Sequence, residues 1–101
     1  MSSQVLFTPA RLVRKTMTGT IGTSAVSLLT ITKDFSYIRV INPTQGNILA
    51  VTYDGVTVPV IGSVGVQLGP WGTDEQYFVI PVGSIKAIAN AASTPFEIEY
   101  S

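Results

Sequence analysis

Few side chains in this sequence could do acid–base or binding chemistry, and their types exclude more than they permit. Histidine and cysteine are both absent. The commonest general base and the thiol nucleophile are therefore missing, and His- or Cys-ligated metal sites are ruled out. The six carboxylates include one adjacent pair, Asp74-Glu75, and one pair two residues apart, Glu97 and Glu99. Paired carboxylates at set separations can hydrolyse glycosides. Here Glu97 and Glu99 alternate with Phe96, Ile98 and Tyr100, which makes them the solvent face of a half-buried strand. Asp74-Glu75 follow Trp71-Gly72 and read as loop residues. No spaced run of oxygen ligands suggests a calcium loop. Gly62-Ser63-Val64-Gly65 lacks the lysine and the strand-to-helix setting of a phosphate loop and reads as a turn. The expectation is a protein without enzymatic activity, cofactor or metal.

The binding candidates are the cations and aromatics. Residues 1–33 carry Arg11, Arg14, Lys15 and Lys33 and no acid, whereas residues 34–101 carry two basic residues against six acidic ones. A basic N-terminal segment on an acidic body marks an interaction arm. The arm has one aromatic neighbour, Phe7. Nucleic-acid binding, which calls for a basic face with interleaved aromatics, is disfavoured. Trp71 stands apart in Gly69-Pro70-Trp71-Gly72. It is either an exposed anchor or, the slightly preferred reading, a lid closing one end of the fold. The tentative partner-binding set is Phe7, Arg11, Arg14, Lys15 and Trp71.

These side chains must be carried by strands. Val, Ile and Thr recur in short runs broken by Gly, Pro, Asn and Asp, a pattern that favours pleated structure. Strands are expected over 25–31, 35–41, 48–53, 66–68, 77–80, 84–89 and 96–100. A further strand over 56–61 is placed at an edge because Pro59 cannot donate to a ladder, and Asp54-Gly55 before it reads as a hairpin. Ile38 and Val40 face one way, and Phe35, Tyr37, Arg39 and Ile41 the other, and these two mixed faces suit a central strand or contact with a partner. Residues 4–17, interrupted by Pro9, read as extended arm segments. No window supports an amphipathic helix, and Ala87–Ala92 is too short to nucleate one.

With a turn signal roughly every 8–12 residues, about eight short strands imply a single small antiparallel β-sandwich or barrel, jelly-roll-like. The organisation expected is an N-terminal arm over 1–17 and a β-sandwich domain over 18–101. Only 12% of residues are charged, against about a quarter in an average soluble domain, so the surface suits burial in an assembly. No apolar run approaches the roughly 20 residues of a membrane span. Met1-Ser2-Ser3-Gln4 does not open a secretory signal.

From Ile38 onward the order of segments resembles the small β-sandwich accessory proteins of tailed-bacteriophage virions. The matching pieces are Ile38-Arg39-Val40-Ile41-Asn42-Pro43, Thr52-Tyr53-Asp54-Gly55, Val66-Gln67-Leu68-Gly69-Pro70, Pro81-Val82-Gly83-Ser84-Ile85-Lys86-Ala87-Ile88-Ala89 and Phe96-Glu97-Ile98-Glu99. The resemblance does not reach residues 1–34. It implies a structural protein on the capsid surface that decorates or cements the shell. The partner would be the major capsid protein or another virion protein. Separately, residues 56–61 and 4–7 carry no charge. Uncharged edge strands need covering, so the chain is expected to form a homo-oligomer, a symmetric one, or to depend on a host lattice. The alternative that the resemblance leaves is a receptor- or carbohydrate-binding module of a tail fibre or spike, with Trp71 flanked by Tyr77 and Asp74 as its platform.

Overall fold

The computed structural model describes residues 14–34 and 36–101. Its strands are β1 (Lys15–Ile21), β2 (Val26–Ile31), β3 (Ser36–Ile41), β4 (Leu49–Thr52), β5 (Val66–Leu68), β6 (Thr73–Phe78), β7 (Gly83–Ala89) and β8 (Thr94–Tyr100). Two four-stranded sheets, ordered β1-β8-β3-β6 and β2-β7-β4-β5, pack face to face. All pairings are antiparallel, and they nest: β1 with β8, β2 with β7, β3 with β6, β4 with β5. The chain thus behaves as one long hairpin folded over itself, with successive strand pairs falling alternately into the two sheets. That nesting is the jelly roll.

Alternation puts the core between the sheets. Phe96 and Ile98 of β8, Ile38 and Val40 of β3, Ile85, Ala87 and Ala89 of β7, and Leu49 and Val51 of β4 are all buried. Burying each large aliphatic side chain contributes about 1.5–3 kcal/mol. Glu97 and Glu99 point outward from β8, as the pattern requires. β3 lies between β8 and β6, so the central position expected for 35–41 holds, beginning at Ser36. Gly19 of β1 faces Phe96 across the ladder. A Cβ there would lie 2.9 Å from the Phe96 ring, so glycine is what lets the ring lie across the edge strand.

Several expectations change. β1 begins at Lys15, so Lys15, Thr16 and Met17 belong to the sandwich rather than to an arm; the rest of the expected arm, residues 1–13, lies outside the described residues. Their Thr-rich alternation escaped notice because the apolar face of β1 reduces to Met17, Gly19 and Ile21. Residues 56–61 form no strand. The place beside β4 is taken by β5, and residues 53–65 make a loop with one isolated bridge, Val60 to Val64. Asp54-Gly55 turns the chain as its composition demands, but into this loop rather than a hairpin. The expected strand 77–80 is β6 displaced: Asp74 and Glu75 are strand residues, and Val79 and Ile80 lie beyond its end.

Candidate interaction surfaces

The strand directions sort the loops into two ends. One end gathers the turns β1–β2, β3–β4, β5–β6 and β7–β8. The other gathers the start of β1, the end of β8, and the loops β2–β3, β4–β5 and β6–β7.

The first end is a stiff polar cap built on Asn42, which is fully buried. Its Nδ2 donates to the carbonyls of Asn47 (2.8 Å), Leu68 (2.9 Å) and Gly69 (2.9 Å). Its Oδ1 accepts from Thr44 N–H (3.1 Å) and from the Thr44 hydroxyl (2.8 Å). One side chain therefore ties the β3–β4 and β5–β6 turns together. Asn47 Nδ2 donates to Thr94 Oγ1 (3.0 Å), and Ile48 N–H donates to Asn90 Oδ1 (3.0 Å), which brings in the β7–β8 turn. Trp71 stands on this cap. Gly72 N–H donates to Gly69 C=O (2.9 Å), closing a turn with Pro70 second and Trp71 third, and Trp71 N–H donates to Thr44 C=O (3.2 Å). The third position carries φ 62°, a left-handed conformation for which glycine is the ordinary choice. The indole is 61% exposed. The lid reading is overturned, because the positive φ throws the ring outward instead of over the core.

The opposite end is apolar at its tip. Val56 is 78% exposed, Val79 61% and Ile80 62%, with Val58 also exposed. The loops bearing them touch at Gly55. A Cβ on that residue would lie 1.9 Å from the Val82 carbonyl oxygen, and its φ is 79°. Asp54 holds the turn by accepting from the N–H groups of Val56 (2.9 Å) and Thr57 (2.7 Å) and from the Thr57 hydroxyl. These bonds, the hydroxyl foremost, lower its pKa to about 2. Sequence reasoning missed the tip because Val-Thr-Val-Pro-Val and Val-Ile-Pro were read as strands. The prolines Pro59 and Pro81 were the available signal that these β-branched residues sit in loops.

On the outer face of the β1-β8-β3-β6 sheet, Arg14 places its guanidinium 4.2 Å from the centre of the Tyr37 ring, and Tyr77 packs against that ring with centroids 5.1 Å apart. Tyr37 is only 2% exposed despite facing outward. Its hydroxyl donates to Glu75 Oε2 at 2.6 Å. Burial first, then that hydrogen bond, pushes its pKa up to about 12. Arg39 and Glu99 pair at 3.4 Å with both side chains about one-third exposed, so the bond contributes well under 1 kcal/mol.

Of the expected partner-binding residues, Phe7 and Arg11 lie outside the described residues. Arg14 and Lys15 are exposed near the apolar end, and Trp71 projects from the other. The arm cations and the tryptophan therefore form no common site. Tyr77 lies near the far end of β6 from Trp71, roughly 20 Å away at strand rise, and Asp74 bonds inward-facing Gln76 at 2.8 Å. The Trp71–Tyr77–Asp74 platform does not exist. No family model matches this chain, and neither a curated protein nor a solved structure does.

An open cleft of about 290 Å³ runs beside β4, lined by Val51, Tyr53, Asp54, Thr57, Val64 and Val66 among others. Asp54 is committed to its turn. Burial, with the Asp74 carboxylate nearby, raises the Tyr53 phenol far above its ordinary range, so neither lining group is poised to move a proton near neutral pH. Among the described residues no three potential metal ligands of the His, Cys, Asp or Glu type cluster.

Proposed function

We propose that this chain is a non-enzymatic attachment protein of a virus particle, decorating or cementing the capsid surface by docking its apolar tip on the major capsid protein or another virion protein. The observation that carries the reading is the exposure of Val56, Val58, Val79 and Ile80 at one end of the sandwich, on two loops that touch at Gly55. Side chains this exposed do nothing for the isolated fold. They gain free energy only when a partner removes them from water, at about 25 cal/mol per Å². Arg14, Lys15 and Lys33 lie at the same end and would steer the tip toward an acidic shell. The segment order noted from Ile38 onward and the jelly roll, a fold that viral shell proteins share with lectins and cupins, support the virion setting by analogy.

A second reading, a carbohydrate- or receptor-binding module, is favoured by Trp71 alone: a strained, outward indole on a rigid amide-rich cap suits stacking on a sugar ring. One comparison separates the two. Val56→Ser/Val79→Ser/Ile80→Ser should melt within about 0.5 kcal/mol of the parent and fail to co-sediment with shells lacking the protein. Trp71→Gly should keep the fold, since glycine accepts the turn, and keep shell binding. If the tip variant binds shells normally, or Trp71→Gly alone abolishes binding, the tip is not the docking surface.

A further inference from the structure

Among the described residues four strands form the margins of the two sheets, and they are guarded unequally. β5 has only three residues, and the pairing of β2 is broken by a bulge between Ser27 and Leu29. Short length and bulging both keep an edge from pairing with another chain. β1 and β6, the edges of the other sheet, have seven and six residues in unbroken register with their inner neighbours. Most of β1 is exposed.

We infer that β1 of one copy pairs with β6 of a second copy, joining the β1-β8-β3-β6 sheets head to tail. Three observations select a second copy as the occupant. The first is direction: neighbours in this sheet alternate, so β1 and β6 run oppositely, and a copy displaced sideways sets its β1 antiparallel to β6 without turning over. The second is register. The rows Lys15–Tyr100–Ile38–Gln76 and Thr18–Glu97–Ile41–Thr73 cross the whole sheet. Continued into the next copy, they set its Lys15 opposite Gln76 and its Thr18 opposite Thr73. The third is charge. In that register Lys15 stands diagonal to Asp74 on the inner-facing side. Arg14 stands diagonal to Glu75 on the outer face; in a single copy its guanidinium lies inward over Tyr37 of β3, so at the junction it swings from that ring toward the next copy. Diagonal neighbours are within reach of long side chains. A two-fold pairing of β1 with β1 uses neither acid. Because donor and acceptor edges differ, the contact repeats, closing into a ring or growing into a fibre. The inference concerns the sheet edges and does not depend on the tip.

The full chain tests it. At low salt the mass by sedimentation should exceed the 10.7 kDa of one copy and rise with concentration, falling back in about 1 M salt, where charges more than roughly 3 Å apart are screened. Arg14→Glu and Glu75→Lys should each weaken association about fivefold while keeping a β spectrum. An equimolar mixture of the two should recover it, since every junction then pairs opposite charges. The chain has no cysteine, so Thr18→Cys/Thr73→Cys reads the register directly. Within one copy these positions lie three strand spacings apart, about 14 Å, too far to bridge. Mild oxidation of the folded variant should therefore give a ladder of linked copies. A folded chain that stays monomeric at low salt, a ladder that does not form, or a Glu75→Lys variant that associates like the parent overturns the inference.

Discussion

Asn42 does more than end β3. Its amide spreads two hydrogens over three carbonyls from two different turns, inside a fully buried site. Changing it to Asp replaces donors by a carboxylate facing three carbonyl oxygens. A buried, unsatisfied and repelling group of this kind costs about 3 kcal/mol or more. Asn42→Asp should lower Tm by roughly 12 °C or more at pH 7, and thermal melts should show the deficit shrinking in acid as the carboxyl protonates. Asp54 gives the opposite case, an exposed acid whose charge is wanted. Its folded pKa, about 2, lies below the ordinary carboxylate value of 3.8. A depressed acid contributes above its unfolded pKa and loses that contribution as pH falls through the folded one. The Val56 and Thr57 amide resonances should therefore hold steady down to about pH 4 and move with a midpoint near 2, followed by NMR. A midpoint near 4 would mean that the turn does not hold the carboxylate.

The loops at the apolar end are joined by backbone proximity, and Gly55 is the joint. Its φ of 79° and the Val82 carbonyl, 1.9 Å from where a Cβ would sit, leave no space for a side chain. Gly55→Ala must push the β4–β5 loop away from the β6–β7 loop. We expect a loss of at least about 2 kcal/mol by denaturant unfolding, together with weaker attachment, because the two halves of the tip part. Gly62 also has positive φ, but nothing lies near its missing Cβ. Gly62→Ala therefore carries conformational strain alone and is the matched control. Equal losses at the two positions would show that the contact at Gly55 does not matter.

At the scale of the molecule, β1 is half of the pair that closes the jelly roll, since β8 sits between it and β3. Where a truncation ends should therefore matter more than how many residues it removes. Deleting residues 1–13 spares every strand among the described residues and should leave the β spectrum and the melting cooperativity intact. Extending the deletion to residue 17 strips Lys15, Thr16 and Met17 from the ladder with β8 and uncovers part of the Ile98 side of the core. Circular dichroism melts should then show Tm falling by at least about 5 °C. A 1–17 deletion as stable as the 1–13 deletion would return those residues to the arm.

Fold class was legible in the sequence because a strand's side-chain period is local. Phe96-Glu97-Ile98-Glu99-Tyr100 states which side is buried without reference to any other segment, and β-branched runs punctuated by Gly, Pro and Asn announce strand ends wherever they fall. The same local grammar marked the Asp54-Gly55 turn. It could not say which strand would pair with β4. Residues 56–61 and 66–68 competed for that place, and only the three-dimensional arrangement shows the shorter one taking it and leaving Val56 and Val58 in water. β1 was hidden because an edge strand with glycine and threonine buries little, and its membership is decided by a partner far along the chain, β8, with Lys15 opposite Tyr100 and Ile21 opposite Thr94. Candidate sites followed the same division. The chemistry excluded by absent histidine and cysteine needs no fold, since a missing group is missing in every conformation. Whether Trp71 covers the core or leaves it turned on one backbone angle, and whether it meets Arg14 turned on the direction of the strands, both of which only the tertiary structure decides.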